Sequence, residues 1–463
     1  MTKKTFIRNA AAAAVLAAIA AAPAWADDVT VTTQVTESIP ASDDDTAPDN
    51  VTIKGPHYAS PSQYTDTAPA AVLLPSGSSI SITGTKSVTI ENSGYYVKST
   101  KDYLEGAVIA ASDDAEAANT SSGVDYSSAV NGGSVDIETG AGGTIQILRK
   151  EGLQVAAQQG VIVLANAQDA DKDLTLTING NNAASAVTII GQVVLAGPRA
   201  TGLINLTGTS SLSGSITAMG GASIDVNLEG DGSSIKYTGY AINRLCADGQ
   251  SSAGTPSKIP LNTGAGTELQ DQVDVNDGAT ADVTVNGEWT NNLYMRNYSR
   301  ASAVTSAELT INGNWSRGAI LWGGGLSLTV NLNGVWSTFN DYGIVIHAPG
   351  VNDSEAPTSV LFTISAAQAA DSSEPAYFHG MLRAEDDATI TAFDNGVFVG
   401  DAWGGYEASG GTVNVTVNGT WTGNAIAGSD KYLFQDSEAD EEDDAGTGAV
   451  TVTIGKTGVW KTA

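Results

Sequence analysis

One short pattern returns through the C-terminal half of the chain and restricts the folds open to it. It reads Val283-Thr284-Val285-Asn286-Gly287-Glu288-Trp289, then Leu309-Thr310-Ile311-Asn312-Gly313-Asn314-Trp315, then Val415-Thr416-Val417-Asn418-Gly419-Thr420-Trp421. Looser copies end at Trp336 and Trp460. The five tryptophans lie 26, 21, 85 and 39 residues apart, so the last two gaps are close to four and two units of the first pair. A period in the low twenties is the mark of a solenoid in which each turn is one small unit. In every copy, apolar residues alternate with threonine, which is the pattern of a strand buried on one side. Asn-Gly then predicts a corner, on the expectation that glycine takes up a positive φ there at little cost. A second strand-like run follows, such as Ala319-Ile320-Leu321-Trp322 or Gly343-Ile344-Val345-Ile346.

Earlier segments follow the same grammar without tryptophan, for example Leu174-Thr175-Leu176-Thr177-Ile178-Asn179-Gly180 and Val226-Asn227-Leu228-Glu229-Gly230. Their irregular spacing predicts inserted loops, among them residues 247–267 and 429–448. Residues 27–75, rich in Pro, Asp and Ser, read as an extended lead-in or N-terminal cap, and 76–463 as the repeat region. Two helix-like scraps, 365–371 and 115–119, are too short for more than a turn or two. Sandwich domains need about 100 residues each, far more than this repeat offers. The predicted fold is therefore all-β: an elongated β-solenoid.

Residues 1–26 read as a secretory leader. Lys3, Lys4 and Arg8 precede an alanine-rich apolar stretch, and Ala24-Trp25-Ala26 supplies an A-x-A site, so cleavage is expected between Ala26 and Asp27. The apolar stretch is shorter than the roughly 20 residues a membrane-spanning helix needs, and no later segment is apolar enough to span as a helix. Acidic residues number 51 against 21 basic ones, a net charge of -30, which disfavours nucleic acid as a partner. The single cysteine, Cys246, cannot form an internal disulfide and reads as a small buried residue.

These residues resemble the passenger domains of Gram-negative autotransporters, which are pertactin-like right-handed parallel β-helices. The leader, the acidic Gly/Ser/Thr/Asn-rich composition, the near absence of cysteine and the stretch at 415–424 carry the resemblance over residues 76–463. It implies an exported protein, at the cell surface or outer membrane or released outside the cell, that acts as an adhesin or surface-structural element. Its partners would be host or bacterial surface glycans, proteins or further copies of itself. The family's C-terminal β-barrel has no counterpart before Trp460-Lys461-Thr462-Ala463, so a truncated or barrel-less passenger is expected.

The sequence points to no catalytic, cofactor-binding or metal-ligating residue. His57, His347 and His379 are scattered, and no zinc or serine-nucleophile motif accompanies them. Ser233-Ser234-Ile235-Lys236 has S-x-x-K spacing but reads as a strand edge with surface polar groups. Asp386-Asp387 near His379-Gly380 raises the alternative of a secreted polysaccharide-acting enzyme on a pectin-lyase-like β-helix, but the order of the two elements is reversed. Adjacent carboxylates on a strand also point to opposite faces. The acidic run at 436–444 reads as a solvated loop. The tryptophans that follow Asn-Gly read as packing residues, whereas Trp322 and Trp403, outside that offset, are the candidates for stacking on a ligand.

Overall fold

The computed structural model describes residues 6–8, 28–41, 46–55, 70–94, 107–111, 129–151, 154–155, 160–179, 186–230, 232–236, 244–297, 303–347, 357–368, 373–405, 410–428 and 448–463. The expected cleavage site, the scrap at 115–119, His57 and the acidic run at 436–444 lie outside these residues. The fold is an all-β parallel β-helix, with no helix among the described residues. The chain divides into two compact units, one holding 1–245 and 250–259, the other 246–249 and 260–463.

In the first unit, coils run through three columns of strands. The first column includes Asn50–Lys54, Ser87–Gly94 and Thr144–Glu151, paired in parallel. The second stacks Val72–Leu74, Ile109–Ala111, Gly160–Ala165 and Gln192–Ala196. The third runs from Ser79–Gly84 through Gly133–Thr139, Leu174–Asn179 and Ala200–Leu206 to Ser223–Leu228. Residues 27–75 are thus more than a lead-in, since they contribute coil strands down to Val29–Val31, which pairs with Asn50–Lys54. These runs of three to five residues are too short to stand out in a Pro- and Asp-rich background. Phe6–Arg8, within the expected leader, lies parallel to Val29–Val31.

The second unit repeats the plan with shorter, more regular coils. Its third column runs Thr280–Val285, Thr305–Ile311, Leu326–Leu332, Ser359–Ile364, Asp386–Asp394, Gly410–Val417 and Ala449–Ile454, each strand parallel to the next. Alternate residues point inward, so Val285, Ile311, Leu332, Ile364, Asp394 and Val417 stack as one buried file, aliphatic except for Asp394. Residues 247–267 are not a simple loop insertion either: they contain strand Lys258–Thr263. Pro260 hides it, because proline argues against a strand in sequence.

The Asn-Gly corners work differently from the sequence expectation. Gly287, Gly313, Gly334 and Gly419 do not adopt a positive φ. What requires glycine is proximity: a Cβ on Gly313 would sit 2.0 Å from the carbonyl oxygen of Gly287, and one on Gly334 2.1 Å from that of Gly313. The corners of successive coils are stacked too closely for any side chain. Asparagine fills the adjacent position because its amide both donates and accepts. Asn312 Nδ2 donates to Asn286 Oδ1 at 2.8 Å and Asn333 Nδ2 to Asn312 Oδ1 at 2.9 Å, while Asn418 Nδ2 donates to Asn395 Oδ1 at 3.0 Å.

The tryptophans form the third file at this corner. Trp289 and Trp315 stack with ring centroids 4.5 Å apart, and Trp315 and Trp336 at 4.1 Å. Phe378 and Phe398 continue the file at 4.9 Å and 5.2 Å, and Trp421 and Trp460 complete it at 5.3 Å and 5.1 Å. Each indole N–H is used: Trp289 donates to the Asp271 carbonyl, Trp315 to that of Asn291, Trp336 to that of Arg317, Trp421 to that of Gly400 and Trp460 to that of Gly423. A buried aromatic side chain removes on the order of 200 Å² from water, worth at most about 5 kcal/mol. The structural role assigned to these tryptophans is therefore what the packing displays.

Replacing Trp421 with alanine removes a fully buried ring between Phe398 and Trp460 and is expected to cost about 3–5 kcal/mol. Contacts in such a stack are only between neighbours. Hydrogen exchange resolved along the chain should therefore show lost protection in Val397–Val399 and Val459–Lys461 with Thr280–Val285 unchanged; uniform exchange would contradict a stacked-coil role.

Candidate functional site

The second column of the second unit carries exposed Trp322 beside the half-buried Tyr294 and Arg296. Alternation buries Leu293, Met295, Ala319 and Leu321 and turns Tyr294, Arg296, Ile320 and Trp322 outward. Parallel register places Tyr294 beside Ile320 and Arg296 beside Trp322. The Arg296 guanidinium carbon lies 4.5 Å from the Tyr294 ring centroid, a cation–π geometry. Trp322 is 50% exposed, the most open indole of the described tryptophans, and pairs in register with His347 on the next coil. Flat rings beside a planar guanidinium can stack on a ligand ring and hydrogen-bond its edge.

Trp403 is placed otherwise. It is only 6% exposed, and its indole N–H donates to the Gly428 carbonyl at 2.7 Å. Its register neighbour Arg383 is buried as well, as is Val345 on the coil before. The second column is covered on both faces here, so Trp403 does not present the open ring that stacking on a ligand needs. Tyr294 and Arg296 were not picked out by the motif, although the alternation of Leu293-Tyr294-Met295-Arg296 carries the same signal as Ala319-Ile320-Leu321-Trp322.

The other sequence features settle into structural positions. Ser233 is buried and donates to the carbonyls of Gly208 and Glu229, and Ser234 is buried too, so the S-x-x-K segment is not the surface edge expected from sequence. Asp386 and Asp387 are exposed; partial burial and then the Asp387 charge raise the Asp386 carboxyl above its ordinary value. Cys246 is buried and receives Asn276 Nδ2 at 3.6 Å. No group of three His, Cys, Asp or Glu residues among the described residues is arranged to hold a metal ion. No described helix is long and apolar enough to cross a membrane.

Three buried ionic features have no sequence signal. Arg383 and Glu385 form an ion pair at 3.9 Å with both side chains almost fully buried. Asp394 occupies an inward position in the file between Ile364 and Val417, with Oδ1 accepting from the Gly396 amide and Oδ2 unpartnered. Asp271 lies at the foot of the tryptophan file with neither carboxylate oxygen hydrogen-bonded. Burial disfavours the charged form, raising Asp271 from 3.8 to about 8 and Asp394 from 3.8 to about 7.

Comparisons with known proteins identify no relative: no family model matches the chain, and neither the curated proteins nor the solved structures give a significant match.

The two buried acids set a pH dependence whose sign is fixed. The folded chain keeps protons that the unfolded chain releases, so stability falls as pH rises above the unfolded value of 3.8 and levels off beyond about 8. Asp394→Asn keeps an acceptor for Gly396 and removes the ionisation. At pH 8 it should stabilise the protein by roughly 2–4 kcal/mol, with little effect at pH 3.5. Urea denaturation at the two pH values measures the difference; an equal change at both would refute the burial argument.

Proposed function

We propose that the chain is an exported surface protein of the autotransporter-passenger type, acting as an adhesin or a surface-structural element. The observation that supports this reading is the outward Tyr294–Arg296–Trp322 patch, with Trp322 half exposed, held on a stack of parallel strands. A coil stack fixes its outward side chains in files, so a ligand meets a surface whose backbone ordering has already been met by folding. Repetition of such contacts from coil to coil would let weak individual contacts add up to firm attachment. The leader-like residues 1–26 and the acidic, cysteine-poor composition support export. A chain that must cross an outer-membrane pore unfolded is served by having no disulfide loop. Nucleic acid is disfavoured as a partner by the net charge of -30.

Expression of the full chain in a Gram-negative host, followed by fractionation and N-terminal sequencing, tests the export half of the proposal. The expected product begins at Asp27 and lies outside the cytoplasm, whereas cytoplasmic protein retaining Lys3 and Lys4 would end it. The adhesive half is tested by Trp322→Ala. This substitution should leave export and the circular dichroism spectrum unchanged and lower attachment of displaying cells or protein-coated beads to glycan- and protein-coated surfaces. Attachment equal to that of the unaltered chain would remove the patch from the proposal.

A further inference from the structure

The outward face of the third column in the second unit is a second surface, chemically unlike the first. Four consecutive strands, Leu326–Leu332, Ser359–Ile364, Asp386–Asp394 and Gly410–Val417, present three in-register outward files. From Ser327 to Asn331, Ser359 to Thr363, Thr389 to Phe393 and Thr412 to Thr416, every outward residue is Ser, Thr or Asn except Leu361 and Phe393. None of them is charged, in a chain whose net charge is -30. The middle file does carry charge on earlier coils, where Asp282 and Glu308 precede Thr329 in register. Charge returns only at the start of one strand, with Asp386 and Asp387.

Leu361 and Phe393 are 43% and 38% exposed. Leu361 is opposite Thr391, and Phe393 lies two residues further along that same strand, so the two are diagonal neighbours on one face, within reach of each other. Phe393 is flanked in register by Thr363 and Thr416. The result is a flat surface with an apolar spot at its centre and neutral hydroxyl and amide groups around it. Threonine side chains are stiff at χ1, so these groups lose little freedom when they bind.

We propose that this face binds the chain of a neutral polysaccharide. A pyranose ring offers an apolar C–H face to a side chain such as Phe393 and hydroxyl groups around its rim to Thr and Asn, which is the complement of this surface. An anionic glycan would be repelled by the net charge of the protein and would find no cation on this face. A protein partner would need a larger apolar centre than two side chains provide. The proposal rests on the reading of the chain as a ligand-presenting surface protein and names the ligand class for one of its faces.

The test uses purified residues 27–463 in affinity electrophoresis through gels containing hydroxyethyl cellulose, mannan or polygalacturonate. At least one neutral polymer should retard the protein, and polygalacturonate should not. Phe393→Ser, which extends the hydroxyl file, should weaken retardation about two- to tenfold, the range of a single aromatic contact. Thr391→Lys should weaken it as well by obstructing the centre while keeping the parent's melting temperature; Phe393→Ser gives up a partly covered ring, so it should lower the melting temperature by a few degrees and leave the circular dichroism spectrum unchanged. Retention of full affinity in Phe393→Ser, retardation by polygalacturonate alone, or no retardation by any polymer would overturn the proposal. So would sedimentation showing that the face mediates self-association abolished by Phe393→Ser. Export is read separately by fractionation, so failure of the surface-protein reading would not be mistaken for failure of this one.

Discussion

Parallel, in-register stacking imposes one requirement on everything else: whatever a coil places at a given position, the next coil must tolerate directly above it. Parallel strands repeat at about 4.8 Å. At that spacing a position can hold a pair of like groups that attract, or a glycine, but not two bulky groups that collide. The Asn-Gly-x-Trp corner satisfies the requirement three times over. Asparagine amides donate to one another, glycines stack with no side chain, and indole rings pile face to face while their N–H groups reach loop carbonyls. The motif is thus the footprint of a vertical constraint, written into the sequence because each coil must answer the one below.

The same constraint explains which parts could be read from the sequence. The Val-Thr-Val alternation, the corner and the packing role of the tryptophans were legible because like residues recur where like positions stack. The reason for glycine was not, since a clash with the Gly287 carbonyl 2.0 Å away is a property of two coils and not of one. Val72–Leu74 and Asn50–Lys54 are not legible in the sequence because strands this short gain their order from pairing partners 22 to 37 residues away. Trp322 and Trp403 looked equivalent, both lying outside the motif offset. Only the burial of Arg383 and Val345 in the adjoining register positions separates the covered ring from the open one.

Buried Asp394 and Asp271 mark where the stacking rule is broken. An aliphatic file interrupted by a carboxyl is less stable than one completed by another Val or Ile, and the Arg383–Glu385 pair adds a desolvated charge cluster nearby in sequence. Such groups carry no periodic signal and could not be foreseen. They lie in the same unit as the two outward surfaces, the aromatic–guanidinium patch and the neutral hydroxyl face, and these differ in charge although both are produced by the same alternation. A coil stack separates the two tasks cleanly: inward files hold the fold, and outward files are free to vary.

The aromatic file has an optical consequence. Indole rings held nearly parallel at 4.5 Å and 4.1 Å, with interplanar angles of 4° and 16°, are close enough for their transition dipoles to couple. Trp289, Trp315 and Trp336 therefore form a built-in chromophore array, whose exciton signal in the ultraviolet depends on coil spacing and not on the mere presence of strands. The second unit carries its own spectroscopic ruler, sensitive to a coil slipping or parting by fractions of an ångström.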